Sequence, residues 1–265
     1  MPADSPLPPL ADTSGALARL WLELRVALAF LTRVPVPLDT EAAVPLAGAV
    51  RAFPLVGLGV GLAGGIVYLI ADMINLPPVI AALLAVAATI ALTGALHEDG
   101  LADMADGLGA RGRDASLRIM RDSRIGAFGV LALVLSLALR VAAIAVLVVP
   151  ETVALVLIAA AAASRACLPP VMYALPPARS DGLSFSAGTP ERGHVIAAVA
   201  TGWLVLMLGL GFLGGLVGIL LIGAAGSATI HLVQRRLGGH TGDALGAIQQ
   251  VAEIAVLLAA VIALT

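Results

Sequence analysis

Long apolar runs separated by short polar segments dominate the chain. Because an α-helix needs about 20 predominantly apolar residues to cross the hydrocarbon core of a bilayer, each run of this length predicts a transmembrane helix. Seven such runs can be distinguished, at 52–74, 78–96, 126–149, 151–173, 194–214, 216–236 and 244–264. The least distinct boundary is at 213–215, where residues 194–236 must reverse direction with almost no loop. The pattern therefore predicts an all-α fold, a polytopic integral membrane bundle of seven transmembrane helices.

The N-terminal segment differs from these spans. Residues 14–34 carry Arg19, Glu23 and Arg25 among apolar residues, a pattern typical of an amphipathic helix that lies in the membrane interface. A first membrane span is the alternative for this segment. Residues 1–13 lack the basic region and the early apolar run of a signal peptide, so we expect a disordered leader there. Residues 14–265 then form a single transmembrane domain.

The arginines are distributed unevenly between the two ends of the predicted spans. All fifteen basic residues are Arg, and the turns near 75–77, 150 and 215 contain none of them. Because positively charged residues concentrate on the cytoplasmic side of a membrane protein, the side that carries the arginines is expected to face the cytoplasm. The polar segments on that side are 35–51, 97–125, 174–193 and 237–243. When all polar segments lie on one side of the membrane, an enzyme is favoured over a transporter. The two halves of the chain also show no inverted repeat of the kind found in transporters.

Composition supports the membrane assignment and narrows the function. Hydrophobic residues make up 60% of the chain, charged residues 12%, and mean hydropathy is +1.04, whereas a soluble domain is roughly half apolar and a quarter charged. The net charge of −2 gives no indication of a nucleic-acid partner. The one cysteine, Cys167, excludes an internal disulfide and is expected to be a small buried apolar residue.

Acidic residues concentrate just after the second predicted span, in "GALHEDGLADMADGLGARGRD" (94–114). Asp99, Asp103 and Asp106 follow the spacing i, i+4, i+7 and would share one face of a helix. Three carboxylates on one face repel one another unless a cation neutralises them. Oxygen ligands alone favour Mg²⁺, Mn²⁺ or Ca²⁺ over Zn²⁺. The pattern predicts a divalent metal site, and a solvated acidic face is the alternative.

His97 precedes this stripe directly. It could act as a general base, as a metal ligand or as a hydrogen-bond donor to phosphate. The alternative is a histidine at the membrane interface without a chemical role.

A cluster of arginines follows the stripe, in "RIMRDSRIGAFG" (118–129). Guanidinium groups bind phosphate oxygens in a bidentate manner, so Arg118, Arg121 and Arg124, with Ser123, are candidate phosphate ligands. Two other interpretations remain: positive residues flanking the next span, and i, i+4 ion pairs linking Asp114, Arg118 and Asp122. Arginines beside a triple-Asp stripe suit a metal-bound diphosphate better than either feature does alone.

Two arginines lie inside predicted spans, where a charge must be buried against protein or a cavity. Arg165 lies about two turns from the expected cytoplasmic end of its span, so we include it among the phosphate-binding candidates. Arg140 lies nearer the opposite end, where its side chain could snorkel to the interface, and we assign it a structural role.

The last polar segment, "RRLGGHTGDALGAIQQVAE" (235–253), adds His240, Thr241, Asp243 and Glu253. A glycine-rich turn with a hydroxyl and a carboxylate could close over a nucleotide. Equally, Thr241 or Asp243 could cap the last helix. Spacing alone does not decide between the two.

Six motifs occur in the order found in the cobalamin synthase family, the adenosylcobinamide-GDP ribazoletransferases, and the chain resembles this family over most of its length. The motifs are "FLTRVPVP" (30–37), "RAFPLVGLGVG" (51–61), "HEDGLADMADGLGA" (97–110), "MRDSRIGAFG" (120–129), "LPPARSDGLSFSAG" (175–188) and "GGHTGDALGA" (238–247). The third and fourth are the most specific. One departure concerns Gln250, a position where the family often has an acidic residue.

The resemblance implies an enzyme of the bacterial cytoplasmic (inner) membrane whose active-site loops face the cytoplasm. A hydroxyl of α-ribazole, or of its 5′-phosphate, would attack the diphosphate of adenosylcobinamide-GDP. GMP would leave, and adenosylcobalamin or its 5′-phosphate would form. Residues 14–265 would be the catalytic domain. Its partners would be these substrates and the lipid bilayer, with association with other corrinoid-pathway enzymes as a further expectation and no nucleic acid.

The residue patterns and the family resemblance together give the candidate site residues. Asp99, Asp103 and Asp106 would hold Mg²⁺, or Mn²⁺ as a substitute. These three residues and His97 are the candidate catalytic residues. Either His97 or one Asp would take the proton of the attacking hydroxyl. The substrate- and phosphate-binding candidates are Arg111, Arg118, Arg121, Asp122, Ser123, Arg124, Arg165, Thr241 and Asp243. His240 and Glu253 are supporting candidates.

Two other functions remain open at this stage. The stretch from Asp103 to Arg111 reads D-x-x-D-G-x-x-A-R and resembles the first half of the signature of CDP-alcohol phosphotransferases, membrane enzymes of phospholipid synthesis. The second half of that signature, G-x-x-x-D-x-x-x-D, is absent from the sequence that follows. The other alternative is a non-enzymatic, cation-binding membrane protein or permease.

Overall fold

The computed structural model describes residues 13–38 and 44–265, and their secondary structure is helical. The predicted leader, 1–13, lies outside these residues except for Thr13, which begins the first helix. The helices are α1 (Thr13–Leu31), α2 (Leu46–Ala49), α3 (Phe53–Met73), α4 (Pro78–Thr93), α5 (Leu96–Gly109), α6 (Arg113–Ile119), α7 (Ala127–Val146), α8 (Pro150–Ala166), α9 (Leu168–Ala174), α10 (Leu183–Ser186), α11 (Arg192–Leu237) and α12 (Gly242–Leu264). The predicted all-α fold is confirmed.

Five helical segments among the described residues are long and apolar enough to cross a membrane. They are Leu46–Met73, Ala127–Val146, Pro150–Ala174, Arg192–Leu237 and Gly242–Leu264. The bent pair of α4 and α5 would add a sixth if it counts as one span. The chain is therefore a multi-pass membrane protein. The count of seven spans stays a prediction, as does the interfacial position of α1.

The predicted span 78–96 extends too far, because α4 ends at Thr93. Gly94 (φ 67°) and Ala95 (φ 57°) both adopt the left-handed conformation, which an α-helix cannot continue through. The chain bends by 90° between α4 and α5. With 16 residues, α4 is about 24 Å long, shorter than the roughly 30 Å hydrocarbon core. The acidic stretch therefore lies on a separate helix, α5, which begins directly after this bend.

The predicted reversal within residues 194–236 is found at Gly211, which has φ 70° and ψ 174° inside α11. A Cβ atom on Gly215 would lie 3.2 Å from the Cα atom of Met207. In a continuous helix two residues eight positions apart are about 12 Å apart. The two halves of α11 therefore fold back against each other, two to four residues before the predicted boundary at 213–215.

The core of the bundle is built around α8, whose alanines from Ala159 to Ala163 are all buried. Small side chains let neighbouring helices approach closely where lipid supplies no hydrophobic driving force. α3, α11 and α12 all pack against α8. α5 packs against α12 and α7, which places the acidic helix at one end of this core.

Candidate active site

The N-terminal halves of α5 and α12 cross at a pair of glycines. A Cβ atom on Gly100 would lie 2.9 Å from the carbonyl oxygen of Asp243, and one on Gly246 would lie 3.1 Å from the Cα atom of Gly100. Only glycine allows so close an approach of the two backbones. The contact brings the acidic motif beside the turn that carries Thr241 and Asp243.

Backbone hydrogen bonds attach the 175–188 loop to that same turn. The amide of His240 donates to the carbonyl of Pro176 (2.9 Å), and the amide of Ala178 donates to the carbonyl of His240 (2.8 Å). Arg113 reinforces the join, because Nε donates to the carbonyl of Leu237 (2.8 Å) and Nη2 to that of Ala178 (2.6 Å). Three polar segments that are far apart in sequence thus meet at one end of the bundle.

A cavity of about 200 Å³ lies where these segments meet. Its polar side is formed by His97, Asp99, Arg179, Asp181, Ser184, His240, Thr241 and Asp243. Of these, His97, Asp99, His240, Thr241 and Asp243 were predicted site residues, and the structure brings them together. Apolar residues of α1, α2, α3 and α9 also line the cavity.

His97 borders the cavity and also the small buried space beside it, and is 3% exposed. Its Nε2 atom is buried and has no hydrogen-bond partner among the described residues. Buried polar atoms are nearly always hydrogen-bonded, so this nitrogen is a candidate to bind a group that the described residues do not supply.

Asp99 on α5 and Asp243 on α12 border the cavity, and Asp103 lies near both. Burial raises the pKa of Asp103 to about 6, repulsion from Asp99, Asp243 and Asp106 adds to this, and Arg179 acts against it. Arg179 Nη2 lies 3.9 Å from the carboxylate of Asp243. Repulsion among acidic groups with one nearby cation favours the binding of a further positive charge.

Asp106 does not share the orientation of the other two stripe residues. Its Oδ2 accepts the amide of Gly126 (2.7 Å), and its Oδ1 accepts the amide of Gly129 (2.8 Å). These amides belong to the start of α7, where the first N–H groups of the helix lack partners within the helix. Asp106 therefore caps α7 with both oxygens, a contact that its helical spacing did not predict.

No group of three or more His, Cys, Asp or Glu side chains within residues 13–38 and 44–265 is arranged to hold a metal ion. Magnesium, however, is usually held by one or two carboxylates together with substrate phosphates rather than by a complete protein cage. The oxygen donors of Asp99, Asp103 and Asp243 suit this mode of binding. The metal-binding role of Asp99, Asp103 and Asp106 stays a prediction.

Three polar residues of the 175–188 loop border the cavity but were not among the predicted site residues: Arg179, Asp181 and Ser184. Arg179 Nη2 donates to the carbonyl of Leu117 (3.0 Å), and its Nε has no partner among the described residues. Ser184 Oγ lies 2.6 Å from His240 Nδ1. Burial lowers the pKa of His240. The available signal was the polar run "ARSDG" between two apolar segments.

The predicted phosphate-binding arginines lie outside the enclosed cavity. Arg121 forms an ion pair with Asp181 and borders a neighbouring open cleft of about 590 Å³, together with Arg113 and Arg179. Arg124 is bound to Asp122, and its hydrogen bonds lower the pKa of that carboxyl group. Arg111, Arg118 and Ser123 are exposed.

The predicted i, i+4 ion pairs among Asp114, Arg118 and Asp122 are wrong for the described residues. Asp114 instead lies 3.6 Å from Arg113, its neighbour in sequence. α6 ends at Ile119, so Asp122 leaves the helix face and pairs with Arg124. Helix spacing predicts such pairs only while the helix continues.

A buried polar cluster lies behind the cavity and joins α5, α7, α8 and α12. Arg140 Nη1 is 2.8 Å from Glu98, and Arg140 Nη2 is 2.8 Å from Glu253. Arg165 is 2% exposed and lies 4.0 Å from Glu253. Gln250 donates to Glu98 (3.2 Å) and accepts from Arg140 (3.3 Å). The cluster contains two acidic and two basic side chains, so its charges can balance within the protein.

This cluster corrects one prediction and changes the context of two others. Arg140 does not snorkel, because it is 2% exposed and bonded on both sides. Arg165 and Glu253, predicted near substrate, lie in the cluster, with His97 between it and the main cavity.

Two other predictions concern residues outside the cluster. Thr241 caps α12 by accepting a hydrogen bond from the amide of Ala244 (3.1 Å), in agreement with the capping alternative. Cys167 is only partly buried.

Comparisons with known proteins agree with the resemblance in sequence. A family model described as cobalamin-5-phosphate synthase matches residues 23–261. The adenosylcobinamide-GDP ribazoletransferase of Bradyrhizobium diazoefficiens is 52% identical over 240 residues, covering 90% of this chain and 92% of that protein. The protein of the same name from Mesorhizobium japonicum is 47% identical over 245 residues, covering 92% and 94%.

No solved structure matches the chain. The family model, however, runs from within α1 almost to the end of α12 and so includes every element that borders the cavity. The chain belongs to the cobalamin-5-phosphate synthase family.

Proposed function

We propose that the protein is an adenosylcobinamide-GDP ribazoletransferase. It transfers the adenosylcobinamide phosphate group from adenosylcobinamide-GDP to α-ribazole or to α-ribazole 5′-phosphate. GMP is released, and adenosylcobalamin or its 5′-phosphate is formed. The observation that carries this proposal is the single cavity at which the acidic motif, the 175–188 loop and the 238–247 turn meet, in a chain of this family.

The reaction needs negative charge to be neutralised on the transferred phosphate and on the leaving GMP. Mg²⁺, or Mn²⁺ in its place, supplies this neutralisation when bound, and Asp99, Asp103 and Asp243 are the side chains that would hold it. Asp106 keeps the acidic helix against α7 through its two amide contacts. In this proposal the first two positions of the stripe bind metal and the third positions the helix.

Arg179 is the side chain best placed to bind a phosphate oxygen. It borders both the cavity and the open cleft, and its buried Nε has no hydrogen-bond partner among the described residues. Arg121 lies across the cleft, held by Asp181. A diphosphate lying between these two guanidinium groups would receive charge-assisted hydrogen bonds from both sides.

His97 is the proposed acceptor for the proton of the attacking hydroxyl. The hydroxyl attacks the phosphorus atom bonded to cobinamide, the bond from that phosphorus to the GMP oxygen breaks, and the hydroxyl proton moves to Nε2. The unpaired Nε2 atom of a histidine that borders the cavity supports this role. General-base catalysis requires the acceptor to lie within hydrogen-bond distance of the hydroxyl. The alternative acceptor is one of the carboxylates near the cavity.

The proposal places these groups at the cytoplasmic face of the inner membrane. The arginines that flank the spans on the side of the cavity support this orientation through the positive-inside rule. Family membership favours the corrinoid substrate over the CDP-alcohol and permease alternatives, for which the described residues provide no separate observation.

Purified protein in nanodiscs, incubated with adenosylcobinamide-GDP, α-ribazole and Mg²⁺, should release GMP and form adenosylcobalamin in equal amounts. Both products are measured by liquid chromatography. Chelation with EDTA should abolish turnover, and Mg²⁺ or Mn²⁺ should restore it.

A CDP-alcohol donor offered under the same conditions serves as the control for donor class. The proposed reaction is wrong if GMP is not released from the corrinoid donor, and turnover that survives exhaustive chelation contradicts the metal requirement alone.

A further inference from the structure

The residues that line the cavity are of two chemical kinds. The apolar ones, called the apolar wall below, include Phe30, Leu46, Phe53, Leu168, Met172 and Leu183. The rings of Phe30 and Phe53 are stacked, with centroids 6.1 Å apart. The polar ones belong to the 175–188 loop and to the starts of α5 and α12. A ligand that fits this lining has one apolar part and one part rich in hydroxyl groups.

The size of the cavity limits which substrate it can enclose. At about 200 Å³ it is smaller than the roughly 300–1,000 Å³ of typical sites for drug-sized ligands. A corrin macrocycle with its amide side chains is much larger than such ligands and cannot enter. A nucleoside, or its base with part of its ribose, is of a suitable size.

Both substrates of the proposed reaction contain a nucleoside, and the apolar wall distinguishes them. Guanine carries several hydrogen-bond donors and acceptors along its edge, which would lose their water partners against Phe30, Leu46 and Met172, and this loss is unfavourable. Dimethylbenzimidazole, the base of α-ribazole, carries two methyl groups and one free ring nitrogen. Its edge therefore matches an apolar surface.

Placing the base against the apolar wall also orients the sugar. The ribose would then lie toward the Ser184–His240 pair, whose polar atoms are 2.6 Å apart. Its hydroxyl groups would approach His97, whose Nε2 atom is unpaired, and Asp99. The nucleophile is thus directed toward the proposed proton acceptor, a requirement for efficient transfer.

On the basis of the function proposed above, the structure assigns this cavity to the acceptor substrate: it binds the benzimidazole base and the ribose of α-ribazole, while the corrinoid and the guanosine of the donor remain outside. The apolar wall, including Leu183, sets the specificity for the acceptor base.

Leu183 and Phe185 provide a matched pair of variants for testing this assignment. Both belong to α10 and are 56% and 53% exposed, so neither substitution disturbs a buried core. Leu183 borders the cavity, whereas Phe185 borders only the open cleft. Leu183→Asn should raise the KM for α-ribazole on the order of 10-fold, the effect of a small change in an apolar pocket. The KM for the corrinoid donor should stay within twofold, as should the acceptor KM of Phe185→Asn.

Direct binding to the wild-type protein gives a second measurement that does not depend on a variant. Isothermal titration of α-ribazole into protein in nanodiscs should give a dissociation constant that saturating GMP leaves unchanged. Displacement of α-ribazole by GMP would mean that the cavity holds the donor nucleotide and would overturn the assignment. So would a rise in the donor KM, rather than the acceptor KM, in Leu183→Asn. An absence of wild-type turnover would instead contradict the proposed function.

Discussion

Carboxylates that are close together in the sequence have different surroundings in the structure. Asp103 lies among Asp99, Asp243 and Arg179, and it has no capping role among the described contacts. Asp106, one turn further along, caps α7 with both of its oxygens. Asp114 is exposed and lies next to Arg113. The three residues should therefore respond differently to the same Asp→Asn substitution.

Asp103→Asn should lower turnover about 100- to 1000-fold, because it removes a charge that stabilises the transition state through the metal, a loss of ~3–4 kcal/mol. Folding should be retained, since the substitution relieves repulsion from Asp99 and Asp243. Steady-state rates at saturating Mg²⁺ and matched expression are the measurement. Asp114→Asn is the control and should leave the rate nearly unchanged, and equal rates for the two variants would assign Asp103 to a solvated face.

Asp106→Asn should act on stability. Asn keeps one carbonyl oxygen and replaces the other with an NH₂ group, so only one of the two amides at the start of α7 retains its acceptor. Loss of a helix cap costs about 1 kcal/mol. Thermal unfolding in detergent should show a lower midpoint for Asp106→Asn than for Asp103→Asn. A midpoint equal to that of the wild type would contradict the capping role.

At the scale of the elements, glycines and buried charges decide how the helices meet. The Gly100–Gly246 crossing sets α5 against α12, and Arg140 joins both helices to α7 through Glu98 and Glu253. A buried ion pair is a weak source of net stability, but removing one partner leaves uncompensated charge. Arg140 is shared between two carboxylates, so its loss affects both.

Arg140→Met should destabilise the protein by about 3–5 kcal/mol, because Glu98 and Glu253 remain buried without their main cation. The double variant Arg140→Met, Glu98→Gln leaves Glu253 opposite Arg165, so one acidic and one basic side chain remain, and it should recover much of the lost stability. The thermal midpoints of both variants in the same detergent test this. If the double variant is no more stable than the single one, the ion pairs do not account for the effect.

For the whole molecule, the main question is which compartment the cavity faces. The acidic motif, the 175–188 loop and the 238–247 turn all contribute to one cavity, so they must lie on one side of the membrane. The positive-inside rule, applied to the arginines near them, predicts that this side faces the cytoplasm. Substrates would then reach the site from the cytoplasm without crossing the bilayer.

Reporter fusions test this orientation and the number of spans together. A reporter inserted in the 97–125 segment should report a cytoplasmic position, and one fused after Thr265 an extracytoplasmic position. The seven predicted spans place five of their number between the 97–125 segment and the C-terminus. Because five is odd, the two reporters should lie on opposite sides of the membrane. If both reporters indicate the same side, the count of seven spans is wrong by one.

The sequence by itself determined the class of fold, the acidic helix and the family. These depend on local patterns: run length decides whether a helix can span a bilayer, and i, i+4 spacing places Asp99 and Asp103 on one face whatever the rest of the chain does. The end of α4 was misplaced by three residues because hydropathy continues past Thr93, while the left-handed Gly94 and Ala95 terminate the helix. Backbone conformation of this kind leaves no hydropathy signal.

Only the tertiary structure decided which side chains form the site. Arg179 and Ser184 reach the cavity because the 175–188 loop bonds to the backbone of His240, more than fifty residues away in sequence. Asp106 turns away because α7 presents unpaired amides to it, and Arg140 is buried because two carboxylates from α5 and α12 enclose it. A side chain's partners depend on how distant helices cross, and that crossing is a property of the packed bundle rather than of any local pattern.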